Sequence, residues 1–308
     1  MAFCANPHRP VLYKEIIHAL QPKAGGRYID GTLGAGGHSA GLLEASAPTG
    51  EVLAFDLDPQ AIEIARAQLA PFGQRIHIVQ ASYLEMAEVA ASLGWDRADG
   101  IVLDLGVSSM QLDTAERGFS FLQDAPLDMR FAPNAPLAAS DLVNGLSESE
   151  LADILFRYGE ERQSRRIARA IAHNRPLATT RQLADLVLKT IGKKERIHPA
   201  TRTFQALRIA VNGELDSVES VLPIAIGLLH PGGRLAVISF HSLEDRIVKE
   251  TFRRESTDCL CPPRQPVCTC GHKASIQQVT RKPIEASESE TEENSRARSA
   301  KLRIVEKL

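Results

Sequence analysis

Short aliphatic runs alternate with helical patterns over the first hundred residues. Residues 27–30, 51–56, 76–80 and 100–104 read as buried strands. Between them, residues 59–70 carry a helical pattern, with Asp58 placed to cap it and Pro59 at its first position. Residues 84–93 carry another. Strands spaced by helices predict a parallel sheet with helices on both faces.

The rhythm breaks after Asp104, and no comparable strand follows until residues 234–240. The interval opens with a loop-like stretch, 108–140, rich in Asp, Pro and Gly. Helical patterns follow over 147–158, 162–173, 180–191 and 199–211. Ser147 and Glu150 form a capping box, because hydroxyl and carboxylate can satisfy each other's backbone donors. Leu183, Val187 and Ile191 share one helical face and belong to a core. The sheet resumes with a helix over 214–229, a turn at Pro231-Gly232-Gly233 and a strand over 234–240. Weaker strands at 276–280 and 302–305 would close it as an antiparallel edge, and the acidic stretch 285–293 reads as a mobile loop. The expected architecture is an α/β domain, residues 1–107 and 212–308, interrupted by a loop and helical insertion, residues 108–211.

Composition narrows the partners. The chain is 44% hydrophobic, enough for a sizeable core, yet no apolar run reaches the ~20 residues of a membrane span. Nothing resembles a signal peptide, so a cytoplasmic protein with no membrane partner is expected. Net charge is only −2, but residues 151–211 hold 13 Lys and Arg against 5 Asp and Glu. A basic segment in an otherwise acidic chain suggests contact with a polyanion, or else a solvated helical face. Arg162, Arg165, Arg166 and Arg169 would cluster on one side of a helix, either gripping phosphates or pairing with Glu160 and Glu161. Four of the five cysteines crowd between Cys259 and Cys270. In a cytosolic chain such a cluster points to metal or to plain reduced thiols.

The run Asp30-Gly31-Thr32-Leu33-Gly34-Ala35-Gly36-Gly37-His38 directly follows the first strand. Glycines let the backbone turn sharply and lie flat against a ligand. Asp56 ends the second strand, where a carboxylate can accept both hydroxyls of a ribose. Gly34-x-Gly36 begins a dinucleotide fingerprint, but Ser39 stands where its third glycine is expected. Asp30 would repel a pyrophosphate and suits the amino group of a methionine moiety instead. A methyl donor, a nucleotide and a bare structural turn are the three readings. Tyr83 follows the third strand and could lie against an adenine ring or simply pack at the strand end. Asp104 ends the fourth strand, in the crevice where open α/β sheets bind ligands.

Longer strings carry a family resemblance. They are Asp104-Leu105-Gly106-Val107-Ser108-Ser109-Met110-Gln111-Leu112-Asp113, Glu116-Arg117-Gly118-Phe119-Ser120-Phe121 and Pro126-Leu127-Asp128-Met129-Arg130. They continue with the eleven-residue run from His198-Pro199-Ala200 to Ala206-Leu207-Arg208, then Ser239-Phe240-His241-Ser242-Leu243-Glu244-Asp245-Arg246 and Arg298-Ser299-Ala300-Lys301-Leu302-Arg303. Across nearly its whole length the chain resembles the bacterial small-subunit ribosomal RNA cytosine-N(4) methyltransferases. The resemblance implies a class I, Rossmann-like methyltransferase sheet that binds S-adenosylmethionine, with the insertion binding substrate. It assigns cofactor contacts to Gly36, Gly37, His38, Asp56, Tyr83, Asp104 and Gln111, of which His38 and Gln111 come from the resemblance alone. Its implied partner is small-subunit ribosomal RNA, free or in the assembled subunit. Three departures are visible: Met110 for a usual proline, Tyr83 for a phenylalanine, and Ser295 for the proline of an Asn-Pro pair. The first would loosen the loop over the donor.

A cytosine amine is a poor nucleophile because its lone pair is delocalised into the ring. Catalysis then rests on positioning, with acceptors that aim the lone pair at the methyl carbon. Many amino-methyltransferases place Asp/Asn-Pro-Pro-aromatic after the fourth strand; here Asp104-Leu105-Gly106-Val107 keeps only the acid. Asp104 is therefore a candidate for cofactor contact first and substrate orientation second. His241 could accept the released proton or merely fix its own loop. Ser108, Ser109 and Ser242 could contact the cytidine or cap turns, and Arg202 and Arg208 add to the basic segment. Cys259, Cys261, Cys268 and Cys270, with His272 nearby, offer enough donors for tetrahedral zinc, although the usual pairing is Cys-x-x-Cys. Two other functions compete: a non-catalytic RNA-binding assembly factor, and a small-molecule methyltransferase or dehydrogenase.

Overall fold

Eight strands form one sheet: β1 (Arg27–Asp30), β2 (Glu51–Asp56), β3 (Ile76–Gln80), β4 (Ala98–Asp104), β5 (Leu229–Ser239), β6 (Ile276–Gln278), β7 (Ile284–Glu285) and β8 (Lys301–Lys307). The computed structural model describes residues 10–192, 198–262, 265 and 267–308, apart from the side chain of Ser109. It divides the chain into two compact units, one of Met1–Gly106 with Leu215–Leu308, the other Val107–Glu214. Among the described residues, no helix is long and apolar enough to cross a membrane.

In the first unit the strand order is β3-β2-β1-β4-β5-β8-β6, with β7 also paired to β8. The pairs among β1 to β5 are parallel, and β8 runs antiparallel to β5, β6 and β7. This is the Rossmann-like α/β sheet expected from the sequence. The period of two explains the two cores. Ile29, Leu53, Phe55, Ile101, Leu103, Leu235 and Val237 face one way, against Met86 and the helices Glu214–Leu228 and Ser242–Glu255. Their neighbours Tyr28, Val52, Ala54, Val102, Ala236 and Ile238 face the other way, against the helices Tyr13–Leu20, Gly37–Ala45 and Pro59–Leu69.

Two details depart from the sequence reading. The 229–240 segment is strand from Leu229 onward, and Pro231-Gly232-Gly233 is accommodated by a register shift between the pairs Ala98↔Leu229 and Gly100↔Arg234. The acidic stretch is not a mobile loop: Glu285 pairs in β7, and Glu288–Glu293 is helical. Ser287 caps that helix by accepting from the Glu290 amide, and acids in the first turn suit its positive end. Glu290 also accepts from the Leu12 amide at 2.7 Å, which ties the stretch to the sheet unit.

The second unit has its own core. Leu151, Leu155, Ile167, Ala168, Ile171, Leu183, Val187 and Leu207 are buried together, so the face carrying Leu183, Val187 and Ile191 is core as expected. The stretch read as loop contributes Phe119, Leu127 and Met129 to it. Asn212 pins that stretch, accepting from the Phe131 amide and donating to the Met129 carbonyl at 2.8 Å each.

Candidate active site

The site residues of the first unit gather at the carboxyl edge of the sheet, where β1 and β4 part to opposite directions of chain order. Between β1 and the helix Gly37–Ala45 the chain makes the glycine turn. Gly34 and Gly36 have φ of 52° and 89°, a region L-side chains avoid. A Cβ on Gly31 would meet Leu103 and Tyr83, and one on Gly37 would meet Pro10.

Buried acids hold this turn. Asp30 is fully buried, accepting from the Ser39 hydroxyl at 2.7 Å and the Thr32 amide at 3.1 Å. With one bond to each oxygen, Asp30 anchors the glycine turn. This also explains Ser39, which supplies the donor that a third glycine would lack. Burial raises the Asp30 carboxyl above its ordinary value, against the charge of His38 and the donors from Ser39 and Thr32.

Asp56 accepts from the amides of Gly34 and Asp58, each at 2.8 Å, one on each oxygen. Burial pushes its pKa up to about 6, with those two amides holding it partly back. Each oxygen keeps a further lone pair, so the carboxylate can brace the turn and still accept from a ligand hydroxyl.

His38 sits in the first turn of its helix, 5% exposed, with Nε2 at 3.7 Å from Oδ2 of Asp104. That is too long for a hydrogen bond but close enough for strong electrostatic contact. Burial pushes the imidazole pKa down; Asp104, with Asp30 and Glu290 behind it, more than reverses this and leaves it raised. Tyr13 stacks over the ring at 6.4 Å between centroids. Both ring nitrogens and Oδ1 of Asp104 are buried with no hydrogen-bond partner among the described residues. Thr32 fixes the Asp104 backbone, accepting from its amide at 2.6 Å. Tyr83, half-buried, begins the turn after β3, which Ser82 and Glu85 cap reciprocally. Neither Tyr13 nor Thr32 was found from the sequence, since nothing in their local pattern says what lies across the sheet edge.

His241 follows β5 on the same edge and caps the helix Ser242–Glu255. Its Nδ1 accepts from the Glu244 amide at 3.4 Å, while the buried Glu244 accepts from the Phe240 amide at 2.8 Å. Nε2 lies 3.2 Å from Glu244 Oε1. His241 thus fixes its own loop through Nδ1, while its Nε2 is buried with no hydrogen-bond partner among the described residues. Ser242 is the first residue of that helix.

In the second unit, Ser108 and Gln111 form a capping box, with Gln111 Oε1 accepting from the Ser108 amide at 3.1 Å and the Ser108 hydroxyl from the Gln111 amide at 3.2 Å. Capping is thus the role seen for Ser108; the Ser109 side chain lies outside the described residues. Arg165, Arg166 and Arg169 lie exposed on the helix Ser164–His173, opposite buried Ile167, Ala168 and Ile171. Arg162 does not belong to that helix, which starts two residues later; it is exposed just ahead of it. Glu161, expected as an ion-pair partner, is instead buried and accepts from the Gln163 amide at 2.7 Å. Arg169 reaches Glu148 at 3.3 Å across the surface. Arg202 is half-buried on the helix Ala200–Asn212. Arg208 on the same helix is corrected: its fork grips the buried Glu214 at 2.8 and 2.9 Å, so it braces the unit instead of facing RNA.

The MraW methylase family profile matches residues 5–308. The chain belongs to that family. Relatives include the ribosomal RNA small subunit methyltransferase H of Geobacter sulfurreducens, 55% identical over 98% of this chain and 99% of that protein. Another of that name, from Dehalococcoides mccartyi, is 50% identical over 98% of this chain and 87% of its own length. Among solved structures, an rRNA methylase from Streptococcus thermophilus has a TM-score of 0.43 at 10% identity, covering 96% of this chain and 93% of that one. TrmN from Thermus thermophilus has 0.45 at 13%, covering 96% and 48%. Membership in the MraW family agrees with the resemblance carried by the long strings.

Proposed function

We propose that this chain is an S-adenosylmethionine-dependent methyltransferase acting on the exocyclic N(4) amine of a cytidine in small-subunit ribosomal RNA. Family membership and relatives named as methyltransferases of that RNA support the reaction class. The observation that carries the site is the buried, unpartnered His38–Asp104 pair beside the glycine turn. Buried polar atoms without partners call for a ligand, and a carboxylate edge favours a cationic one over a pyrophosphate.

The residues fit that donor. Gly36 and Gly37 present backbone without side chains, Asp56 keeps lone pairs for ribose hydroxyls, Tyr83 offers a ring beside the turn, and His38 and Asp104 await polar groups. Gln111 belongs to the other unit, and its cofactor role rests on the resemblance alone. Bound S-adenosylmethionine supplies an electrophilic methyl on a sulfonium. Asp104 in its second role would accept from the amine and so aim its lone pair, with His241 as a candidate proton acceptor once its capping bond loosens. The basic insertion would hold the RNA, with Arg162, Arg165, Arg166, Arg169 and Arg202 toward phosphates and Ser108, Ser109 and Ser242 toward the nucleoside. Such a substrate locates the protein in the cytoplasm.

Incubation with small ribosomal subunits, and separately with their naked RNA, in the presence of labelled donor tests the reading. Label on a single cytidine N(4) is expected. Donor binding without transfer to either substrate would turn the reading toward an assembly factor.

A further inference from the structure

The loop between the helix Ser242–Glu255 and β6 holds four thiols that the methyl-transfer reading does not use. Their sulfurs all lie within 4.8 Å of one another. The separations are 3.5 Å for Cys259–Cys268, 3.6 Å for Cys268–Cys270 and 3.9 Å for Cys259–Cys270. With Zn–S bonds of about 2.3 Å, a regular tetrahedron has edges of about 3.8 Å, so Cys259, Cys268 and Cys270 form one face of the size a zinc tetrathiolate needs, with Cys261 Sγ within 4.8 Å of each of them.

The backbone follows the same plan. Cys259-Leu260-Cys261 and Cys268-Thr269-Cys270 form two short arms that brace each other reciprocally. The Leu260 amide donates to Cys270 Sγ at 3.3 Å, and the Thr269 amide donates to Cys261 Sγ at 3.4 Å. Donors aimed at sulfur favour thiolate, the form that binds metal. Although the usual pairing is Cys-x-x-Cys, one amide of each arm sits on a sulfur of the other arm, so the two Cys-x-Cys arms cross and bring all four sulfurs together.

Hydrophobic burial does not hold the loop together. From Arg253 to Ser275 no described residue is buried, and Leu260 and Val267 are 46% and 69% exposed. Hydrogen bonds close its neck, from the Ser275 amide to the Glu255 carbonyl at 2.8 Å and from the Ala274 amide to Asp258 at 3.3 Å. Beyond the neck, the described residues are gathered by the thiol cluster and by Gln265, whose side chain donates to the Thr269 hydroxyl at 2.8 Å and whose amide donates to the Pro262 carbonyl at 2.9 Å. Small segments that lack a core are commonly ordered by metal.

We propose that Cys259, Cys261, Cys268 and Cys270 bind one structural zinc ion that clips this loop shut. The four protein ligands close the coordination shell, so the ion takes no part in methyl transfer. His272 is not a ligand; its place is in the chain leaving the second arm.

The test is elemental analysis of the full chain purified without chelator, expected to give one zinc per chain. The double variant Cys259→Ser, Cys268→Ser should lose at least nine-tenths of that metal and keep its affinity for S-adenosylmethionine. For the wild-type chain, stripping with chelator should open the loop to protease at Lys273 and leave the rest intact. Refilling with cobalt should give the visible bands of a tetrahedral tetrathiolate. Zinc-free protein with four thiols freely titratable, or with two disulfides by mass, would overturn the proposal. Iron in the site would overturn the choice of metal.

Discussion

His38 and Asp104 come from different elements, the first turn of a helix and the end of β4, yet their side chains meet at 3.7 Å with buried atoms left unpartnered. Each raises the local need for a ligand that the other cannot satisfy: the ring nitrogens lack partners, and so does Oδ1 of Asp104. A zwitterionic, hydroxyl-bearing donor would relieve both. Replacing Asp104 by Asn removes the charge but keeps the shape. Hydrogen bonds to charged groups contribute about 1.5–3 kcal/mol, so Asp104→Asn should weaken S-adenosylmethionine binding by roughly 10- to 100-fold, with a larger fall in methyl transfer. In a double-mutant cycle with His38→Ala, the two losses should be non-additive. Calorimetric affinities within twofold of wild type for Asp104→Asn would remove it from the donor site.

Asp56 makes donor binding pH-dependent. Its carboxyl titrates at about 6, above its ordinary value because it is buried. Between those two values the folded chain holds a proton that the unfolded chain has lost, so the group stabilises the fold at acid pH and loses that contribution as pH rises through 6. Binding runs the other way. Ribose hydroxyls donate to the carboxylate, so affinity should rise about tenfold per pH unit below 6 and level off above it. Asp56→Asn should bind weakly at every pH and show no such rise. A wild-type profile flat from pH 5 to 7 would exclude Asp56 as the acceptor.

Much of the sheet is legible from local pattern. Residues 27–30, 51–56 and 76–80 form strands with the expected ends. The run Val52-Leu53-Ala54-Phe55 is continuously apolar because β2 is buried on both faces, whereas the edge strand β3 is only partly buried and carries His77 and Gln80. The Asp58 and Ser147 caps are legible for the same reason: they depend on neighbours in sequence. The bracing roles of Asp30 and Arg208 are not legible because their partners, Ser39 and Glu214, are set by the tertiary path of the chain. The 285–293 stretch misleads through composition, since charge alone says nothing of a Ser287 cap or of a distant amide at Leu12. His38 could be found only through the family strings; a histidine after glycines carries no periodicity.

The glycine turn supplies a backbone test. Gly36 has φ of 89°, and a Cβ there would press Leu69 at 3.0 Å. A non-glycine residue in that region costs about 1–3 kcal/mol. Gly36→Ala should therefore lower the melting temperature by several degrees and weaken donor binding, because the turn must shift to relieve the contact. Gly73 also has positive φ, 59°, but a Cβ there meets nothing within 4 Å. Gly73→Ala should lower stability and leave donor affinity unchanged. Equal affinity in both variants would separate the turn from the donor site.

The arginines of the second unit divide into two classes, and a single comparison separates them. Arg165, Arg166 and Arg169 are exposed on one helix, with Arg162 exposed just ahead of it. The pair from Arg169 to Glu148 is a surface contact, 70% and 40% exposed, of the kind that contributes little to stability. Replacing all four by Gln should leave the melting temperature nearly unchanged. RNA or subunit binding should weaken, and its dependence on salt should flatten by roughly 0.7–0.9 in log K per log unit of salt for each phosphate no longer neutralised. Donor affinity should not move, since none of these arginines is among the donor residues, which apart from Gln111 lie on the sheet unit. Arg208→Gln should do the opposite. Removing one partner of a pair whose side chains are 15% and 6% exposed leaves Glu214 charged and without its fork, a loss on the order of 3 kcal/mol. Its melting temperature should fall sharply, while the salt slope, measured below that temperature, stays at the wild-type value. If the quadruple variant keeps the full slope, the phosphate grip lies elsewhere on the basic segment, and Arg202 becomes the next residue to neutralise.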